Sequence, residues 1–170
     1  MKLCGVKKNG RYSVMRKSLA VVILAMGLAQ TGHAQQSAIP EQRVVEVKKT
    51  SSCGCCVAWI GRLTRAGFKV VPEDLAMGQL MRFKLDHGIT AKNAACHTGR
   101  IAGYTIEGHV PIREIKRLLT EQPDAIGLSV PGMPLGSPGM DFGEDRDSYD
   151  VLLINNDGTT SVYASYAGTE

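Results

Sequence analysis

Residues 43–66 read RVVEVKKTSSCGCCVAWIGRLTRA, and this stretch decides the fold. Its first part, residues 43–50, is rich in valine and predicts a short strand. Ser51 and Ser52 are candidate N-caps for a helix that runs from about 55 to 66. A Cys-Gly-Cys-Cys run lies between these two elements. The sequence therefore predicts a strand-to-helix turn that carries three cysteines.

The segments after this turn continue to alternate between strands and helices. We predict a strand at 68–71, a helix from 74 to about 87, strands at 100–102 and 104–107, and a helix from 110 to 123. On the second helix, Met77 and Met81 are four residues apart and are predicted to face the core. Residues 130–140 are too rich in glycine and proline for a helix or a central strand, so they are predicted to form a loop.

The C-terminal part of the chain predicts a β-hairpin. Strands at 150–154 and 161–166 flank the sequence NNDG at 155–158, which is a strong hairpin signal. Combined with the preceding order of elements, this predicts an α/β fold of the thioredoxin-like type. Its parts would be a mixed four-stranded sheet, flanking helices and the C-terminal β-hairpin as an extension.

The N-terminal segment has the features of a secretory signal peptide. Residues 1–34 combine a basic front, a short apolar stretch at 19–29 and a small residue, Ala34, at the expected cleavage position. This segment holds six of the 20 Lys and Arg and none of the 16 Asp and Glu. The basic pI of the whole chain is therefore no reason to expect nucleic acid or a membrane surface as a partner. We expect an exported protein with a flexible lead-in at 35–42, one domain at 43–170 and no membrane span in the mature chain.

Four cysteines remain after cleavage: Cys53, Cys55, Cys56 and Cys96. In an oxidising compartment the default expectation is two disulfides. Three of these thiols lie within one turn, so only one of them can easily bridge to Cys96, and at least two sulfurs are left over. The loop that enters the third predicted strand passes beside the strand-to-helix turn. The topology therefore predicts that Cys96 meets the other three cysteines.

The residue types around this cluster favour a soft metal. A helix N-terminus stabilises thiolates, and several thiolates without nearby hard oxygen ligands prefer Cu(I), with zinc as a competitor. His97 and His109 are candidate ligands, although His97 would equally suit a hydrogen bond within its loop. Met133 and Met140 are candidate thioether ligands on the predicted loop, or else they pack this loop onto the domain.

Four motifs carry a family resemblance: TSSCGCCVAW at 50–59, ACHT at 95–98, IEGHVP at 106–111 and VPGMPLGSPGM at 130–140. Together they resemble the CopG-like family, over a similarity that runs from about Val44 to Tyr163. Ala95, where many members have serine, and Gly99, where a small apolar residue is usual, are departures that remove no ligand.

The resemblance implies a periplasmic copper-resistance protein with a thioredoxin-like fold. Copper would bind through Cys53, Cys55 and Cys56, with Cys96 as the matching distant cysteine, and would cycle between Cu(I) and Cu(II). The expected partners are copper ions and other periplasmic copper-handling proteins.

Two other functions stay open on the sequence. A thiol-disulfide oxidoreductase would use a Cys-x-x-Cys motif and a proline before the third strand. Cys53 and Cys56 have that spacing, but Cys55 stands between them and Ala94-Ala95 replaces the proline. A passive metallochaperone would deliver Cu(I) without changing its oxidation state. Whether the protein is an enzyme is therefore left open, and no catalytic residue is assigned.

Overall fold

The computed structural model describes residues 43–169. The expected signal peptide, 1–34, and the expected lead-in, 35–42, lie outside these residues. Among the described residues, no helix combines the length and the apolar character that crossing a membrane requires.

The described chain forms a mixed α/β fold around one seven-stranded sheet. Its strand order is β2-β1-β3-β4-β5-β6-β7. β1 pairs in parallel with β2, and β4 in parallel with β5, while the other neighbours are antiparallel. In chain order the elements are β1 Val44–Lys49, α1 Gly54–Arg65, β2 Lys69–Asp74, α2 Met77–Asp86, β3 Thr98–Ile101, β4 Tyr104–Glu107, α3 Ile112–Glu121, β5 Ala125–Ser129, β6 Tyr149–Asn155 and β7 Thr160–Tyr166.

The predicted strand count is wrong, because no strand is predicted at residues 125–129, which form β5 in the structure. β5 lies between β4 and β6 and makes the C-terminal hairpin continuous with the rest of the sheet. Its central residue is Gly127, although glycine usually weakens a strand interior. The structure requires glycine there because a Cβ atom would lie 1.8 Å from the Thr105 carbonyl oxygen on β4.

The main hydrophobic core lies between the sheet and the helices α1 and α3, and α2 covers the opposite face. Trp59 and Leu63 of α1 pack in one cluster with Ile106 of β4 and with residues of α3. Side chains alternate between the two faces along a strand, so Glu107, next to Ile106, points to the other face. There it contacts Lys84 of α2. The end of β4 therefore has an apolar side and a charged side.

The helix α2 packs with a different face from the one predicted. Met77 and Met81 are 62% and 43% exposed, and the residues that α2 buries are Leu80 and Lys84. The prediction that Met77 and Met81 face the core is therefore wrong, because a leucine and a lysine form the buried face of this helix. Asp74, the predicted start of the helix, ends β2 instead and pairs with Lys49.

Candidate metal centre

Three of the four cysteines lie at the N-terminal end of α1, as predicted. Cys53 is the N-cap residue, and Cys55 and Cys56 lie in the first helical turn. The structure joins Cys53 to Cys56 in a disulfide across Cα atoms 5.3 Å apart. Cys55 and Cys96 are free thiols. The centre therefore contains one Cys-x-x-Cys disulfide and two free thiols.

The predicted convergence of Cys96 with this turn is confirmed. Its sulfur lies 3.5 Å from that of Cys56, and the sulfurs of Cys53 and Cys55 are 3.6 Å apart. All four sulfur atoms lie within 4.8 Å of one another. Cys56 is buried and the other three are partly exposed, so the cluster sits at the surface with one side closed. The role of these sulfurs as ligands stays a prediction.

Both candidate histidines contact Cys96. His109 places Nε2 3.1 Å from the sulfur, and its Nδ1 lies 2.8 Å from the carbonyl oxygen of Pro138. Because a carbonyl can only accept, Nδ1 carries the proton and the lone pair of Nε2 faces the sulfur. His97 places Nδ1 3.3 Å from the same sulfur. Cys96, His97 and His109 form a second group of close ligand atoms that shares Cys96 with the cluster.

The protonation of these groups follows from burial. Burial raises the pKa of Cys96 to about 12, and neighbouring Cys55 acts in the same direction. Burial also holds the pKa of His97 well below its ordinary value, helped by His109 and Lys84, and it lowers the pKa of His109. Without metal, the imidazoles are therefore neutral, which is their ligating form, and a metal has to displace the Cys96 proton.

The residues present fit a soft metal ion. Four sulfur atoms and two neutral imidazoles converge, and both histidines are fully buried. Among the buried side-chain atoms of residues 43–169, His97 Nε2 has no hydrogen-bond partner. A buried polar atom without a partner is costly. This nitrogen is therefore available to a ligand that the protein itself does not provide.

The loop at 130–140 closes one side of the centre. Gly132 donates a backbone hydrogen bond to Ala94 at 3.1 Å, and Pro138 accepts one from His109. At Gly139, where φ is +94°, a Cβ atom would lie 2.8 Å from the Cys55 carbonyl oxygen. The loop was predicted as a loop, and the structure brings it against the cysteines.

The two loop methionines differ in exposure. Met133 follows Gly132 and is 53% exposed, whereas Met140 follows Gly139 and is partly buried. Both belong to the loop that contacts the centre through Pro138 and Gly139. Ligation by either sulfur stays a prediction.

Sequence reasoning missed a buried charged pair beside the centre. Lys84 and Glu107 are 2% and 0% exposed and form an ion pair. The signal for Glu107 was its place in the IEGHVP motif, where a carboxylate stands between apolar residues and a histidine. Lys84 had no comparable signal, since a lysine on a helix is usually solvated.

A mixed α/β domain with cysteines at a helix N-terminus, faced by two neutral histidines, defines a candidate soft-metal thiol protein. Two solved structures are similar to it. One, described as form 1 of the copper resistance protein CopG, is 41% identical and has a TM-score of 0.71, over 75% of this chain and 100% of that one. Form 2 is 40% identical with a TM-score of 0.68, over 72% and 97%. The chain belongs to the CopG-like copper-resistance family.

A family model described as a protein of unknown function, DUF411, also matches residues 93–140 of this chain. That segment contains Cys96, both candidate histidines and the loop at 130–140. No curated protein matches the chain.

Proposed function

We propose that this protein is a periplasmic copper-binding redox protein of copper resistance, with Cys53, Cys55, Cys56 and Cys96 as its copper ligands. The observation that carries the proposal is the convergence of four sulfur atoms within 4.8 Å of one another. Clustered thiolates are soft ligands and select Cu(I) over harder cations. The similarity to structures of a copper resistance protein supports copper over zinc.

The imidazoles give the same centre a way to accommodate Cu(II). Nitrogen ligands suit Cu(II) better than thiolates do, and His97 and His109 both contact Cys96. The hydrogen bond from His109 to Pro138 is the kind of outer contact that fixes the orientation of a metal-binding imidazole. We therefore include both histidines in the ligand set, with Met133 and Met140 as further candidates.

The thiols of Cys53 and Cys56, which the structure shows joined as a disulfide, supply the electrons for the redox step when they are reduced beforehand. When the two thiols join, two electrons and two protons are released, and the electrons reduce two Cu(II) ions to Cu(I). Reduction of the disulfide by an external thiol restores both ligands. The number of thiolates at the centre therefore depends on its oxidation state, which a passive Cu(I) carrier would not need.

A thiol-disulfide oxidoreductase is the second candidate, and the same disulfide favours it. A Cys-x-x-Cys pair at the start of a helix is the usual arrangement of such enzymes. The order β1-α1-β2, followed by the antiparallel β3-β4 pair and α3, supports a thioredoxin-like assignment for this half of the sheet. Against it, Cys55 lies inside the motif and Cys96 touches Cys56.

The export of the protein is part of the proposal. Residues 1–34 would be removed as a signal peptide. The mature chain would begin with a flexible lead-in, followed by the domain at residues 43–170. Other periplasmic copper-handling proteins would exchange copper with it. N-terminal sequencing of the protein from the periplasm tests this, with Gln35 as the expected first residue. An intact Met1 would contradict it.

The copper site is tested by replacing Cys55 with serine. Cys55 is a free thiol in the first turn of α1, so the Cys53–Cys56 disulfide can still form in the variant. We expect the amount of Cu(I) bound per protein to fall, as measured by metal analysis after removal of excess metal. Unchanged copper content in Cys55→Ser would contradict a site made of several thiolates.

A further inference from the structure

The buried ion pair between Lys84 and Glu107 lies next to the segment that carries Cys96. Lys84 comes from α2 and Glu107 ends β4, and their charged atoms lie 2.5 Å apart. Thr98 joins the pair: its hydroxyl accepts from Lys84 at 2.9 Å and donates to Glu107 at 2.7 Å. A buried ion pair often adds little net stability compared with apolar residues of the same size. Stability alone therefore gives a weak reason for these charges.

A third contact of Glu107 reaches the loop that carries Cys96. The backbone N–H of Ala95 donates to the Glu107 carboxylate at 2.7 Å. Ala95 is the residue before Cys96, so this bond fixes the Ala94–Ala95 peptide unit, directly before the cysteine. Close packing limits the same segment, because a Cβ atom on Gly108 would lie 2.5 Å from the Ala95 side chain.

The three groups around Glu107 explain why the residue is a carboxylate. The Lys84 ammonium, the Thr98 hydroxyl and the Ala95 amide all donate to it. An ionised carboxylate accepts from all three without presenting a donor of its own. A buried charge needs a partner of opposite sign, and Lys84 provides it.

We propose that Glu107, neutralised by Lys84, is a positioning residue that holds Cys96 against Cys56 and the two histidines. The proposal rests on the proposed copper function, because it assigns a role toward Cys96 as a ligand. Glu107 contacts the chain on both sides of Cys96, at Ala95 and at Thr98. The loop is thereby anchored at two points, and the Cys96 sulfur is kept 3.1 Å from His109 Nε2 and 3.5 Å from Cys56.

Two matched double variants test this anchor. Lys84→Met/Glu107→Gln removes both charges but keeps an oxygen that can accept from Ala95. Lys84→Met/Glu107→Leu removes both charges and leaves no acceptor. Replacing both members of a buried pair with apolar groups is often tolerated, so both proteins are expected to fold, and they differ in the anchor to Ala95.

The first measurement is the rate at which Cys96 reacts with iodoacetamide in metal-free protein, mapped by mass spectrometry. The second is the affinity for Cu(I), measured by competition with a chromophoric chelator. Loss of an outer-shell contact typically costs about 10–100-fold in metal affinity. We expect an affinity loss of that size and faster Cys96 alkylation in the Leu variant, and values close to wild type in the Gln variant.

Glu114→Gln serves as the control for a buried carboxylate elsewhere. Glu114 is 1% exposed on α3 and contacts Arg113, Arg117 and Tyr166 rather than the cysteines. We expect it to lower the unfolding temperature without changing Cys96 alkylation or Cu(I) affinity. Equal behaviour of the two double variants, or a Glu114→Gln effect as large as that of the Leu variant, would overturn the positioning role.

Cys96→Ser separates this proposal from the copper function. If it binds Cu(I) as tightly as wild type, Cys96 is no ligand and the proposed ligand set is wrong. The alkylation rates still decide whether Glu107 holds Cys96 in that case. If Cys96→Ser loses affinity while both double variants keep it, the copper site stands and the positioning role is wrong.

Discussion

The two regions that supply cysteines to the centre are held in place by different kinds of contact. The first turn of α1 is fixed by its near neighbours: Cys53 donates to the Thr50 carbonyl at 3.2 Å and its own carbonyl accepts from Val57 at 3.3 Å. The segment before β3 depends on contacts with residues that are distant in the chain. Ala95 is held by Glu107 and forms an isolated parallel bridge with Gly132.

This difference indicates which half of the centre should move when residues elsewhere in the fold are changed. The hydrogen bonds of the α1 turn join residues within 50–57, whereas the segment with Cys96 needs β4 and the loop at 130–140 to be in place. Changes far from α1 should therefore displace Cys96 and the histidines first. The disulfide pair at the start of α1 should respond less.

The largest effect is expected from Cys96→Ser. Cys96 contacts Cys56 and both histidines, so its loss separates the two halves of the ligand set. Affinity for Cu(I) should fall by more than the roughly 10–100-fold typical of an outer-shell contact. Chelator competition measures it, and thiol titration should show that the Cys53–Cys56 disulfide still forms. A Cu(I) affinity equal to that of wild type would mean that the cysteines of the α1 turn bind Cu(I) without Cys96.

A second test changes the loop at 130–140 at two glycines that both have positive φ. In Gly139→Ala the new Cβ atom would meet the Cys55 carbonyl and, at 2.9 Å, the Trp59 amide nitrogen, whereas Gly132→Ala meets nothing within 4 Å. Backbone strain alone costs of order 1–3 kcal/mol. The free energy of unfolding should fall by about 1 kcal/mol for Gly132→Ala and by at least about 2 kcal/mol for Gly139→Ala.

Urea unfolding of the metal-free proteins measures this difference. Gly139→Ala should also weaken Cu(I) binding, since Gly139 follows Pro138, the hydrogen-bond acceptor of His109. Equal destabilisation by the two variants would mean that the loop does not rest on α1 in solution.

The buried His97 predicts a pH dependence of the metal-free protein. Burial lowers its pKa in the folded state from the ordinary value of 6.5, so the unfolded chain takes up the proton first as the pH falls. Stability from this group is complete above pH 6.5 and is lost below it, by up to about 1.4 kcal/mol per pH unit. Unfolding of wild type between pH 7 and 5 should show this slope.

The matching variant is His97→Phe, which keeps a ring beside Trp59, whose centroid lies 4.4 Å from that of His97. Its free energy of unfolding should depend less on pH over the same range. Parallel pH profiles for the two proteins would contradict a buried neutral His97.

The smallest effect is expected for the loop methionines. Met140 is partly buried beside Gly139 and Met133 is exposed, so Met140→Leu should weaken Cu(I) binding more than Met133→Leu. Met81→Leu, on the exposed side of α2, is the control and should change nothing. If all three bind Cu(I) like wild type, the two loop methionines pack the loop and are not ligands.

The sequence predicted most of what depends on local pattern. The turn that carries Cys53, Cys55 and Cys56, the hairpin around residues 155–158 and the loop at 130–140 all follow from capping, spacing and turn residues. The approach of Cys96 also followed, because the order of strands limits where the loop before β3 can pass.

The features that the sequence did not predict depend on contacts between distant segments of the chain. No strand is predicted around Gly127, which lets β5 approach β4 closely. The burial of Lys84 depends on Glu107, which faces it from another segment. The periodicity of apolar residues reveals neither feature, because each depends on a partner residue about 20 positions away in the chain.

The central claim, that the centre changes the oxidation state of copper, has one direct test. Reduced, metal-free protein is mixed with Cu(II), and the copper is followed by electron paramagnetic resonance while free thiols are titrated. We expect loss of the Cu(II) signal, bound Cu(I) and the loss of two thiols for every two ions reduced, with the Cys53–Cys56 disulfide formed. A persistent Cu(II) signal with all thiols intact would contradict it.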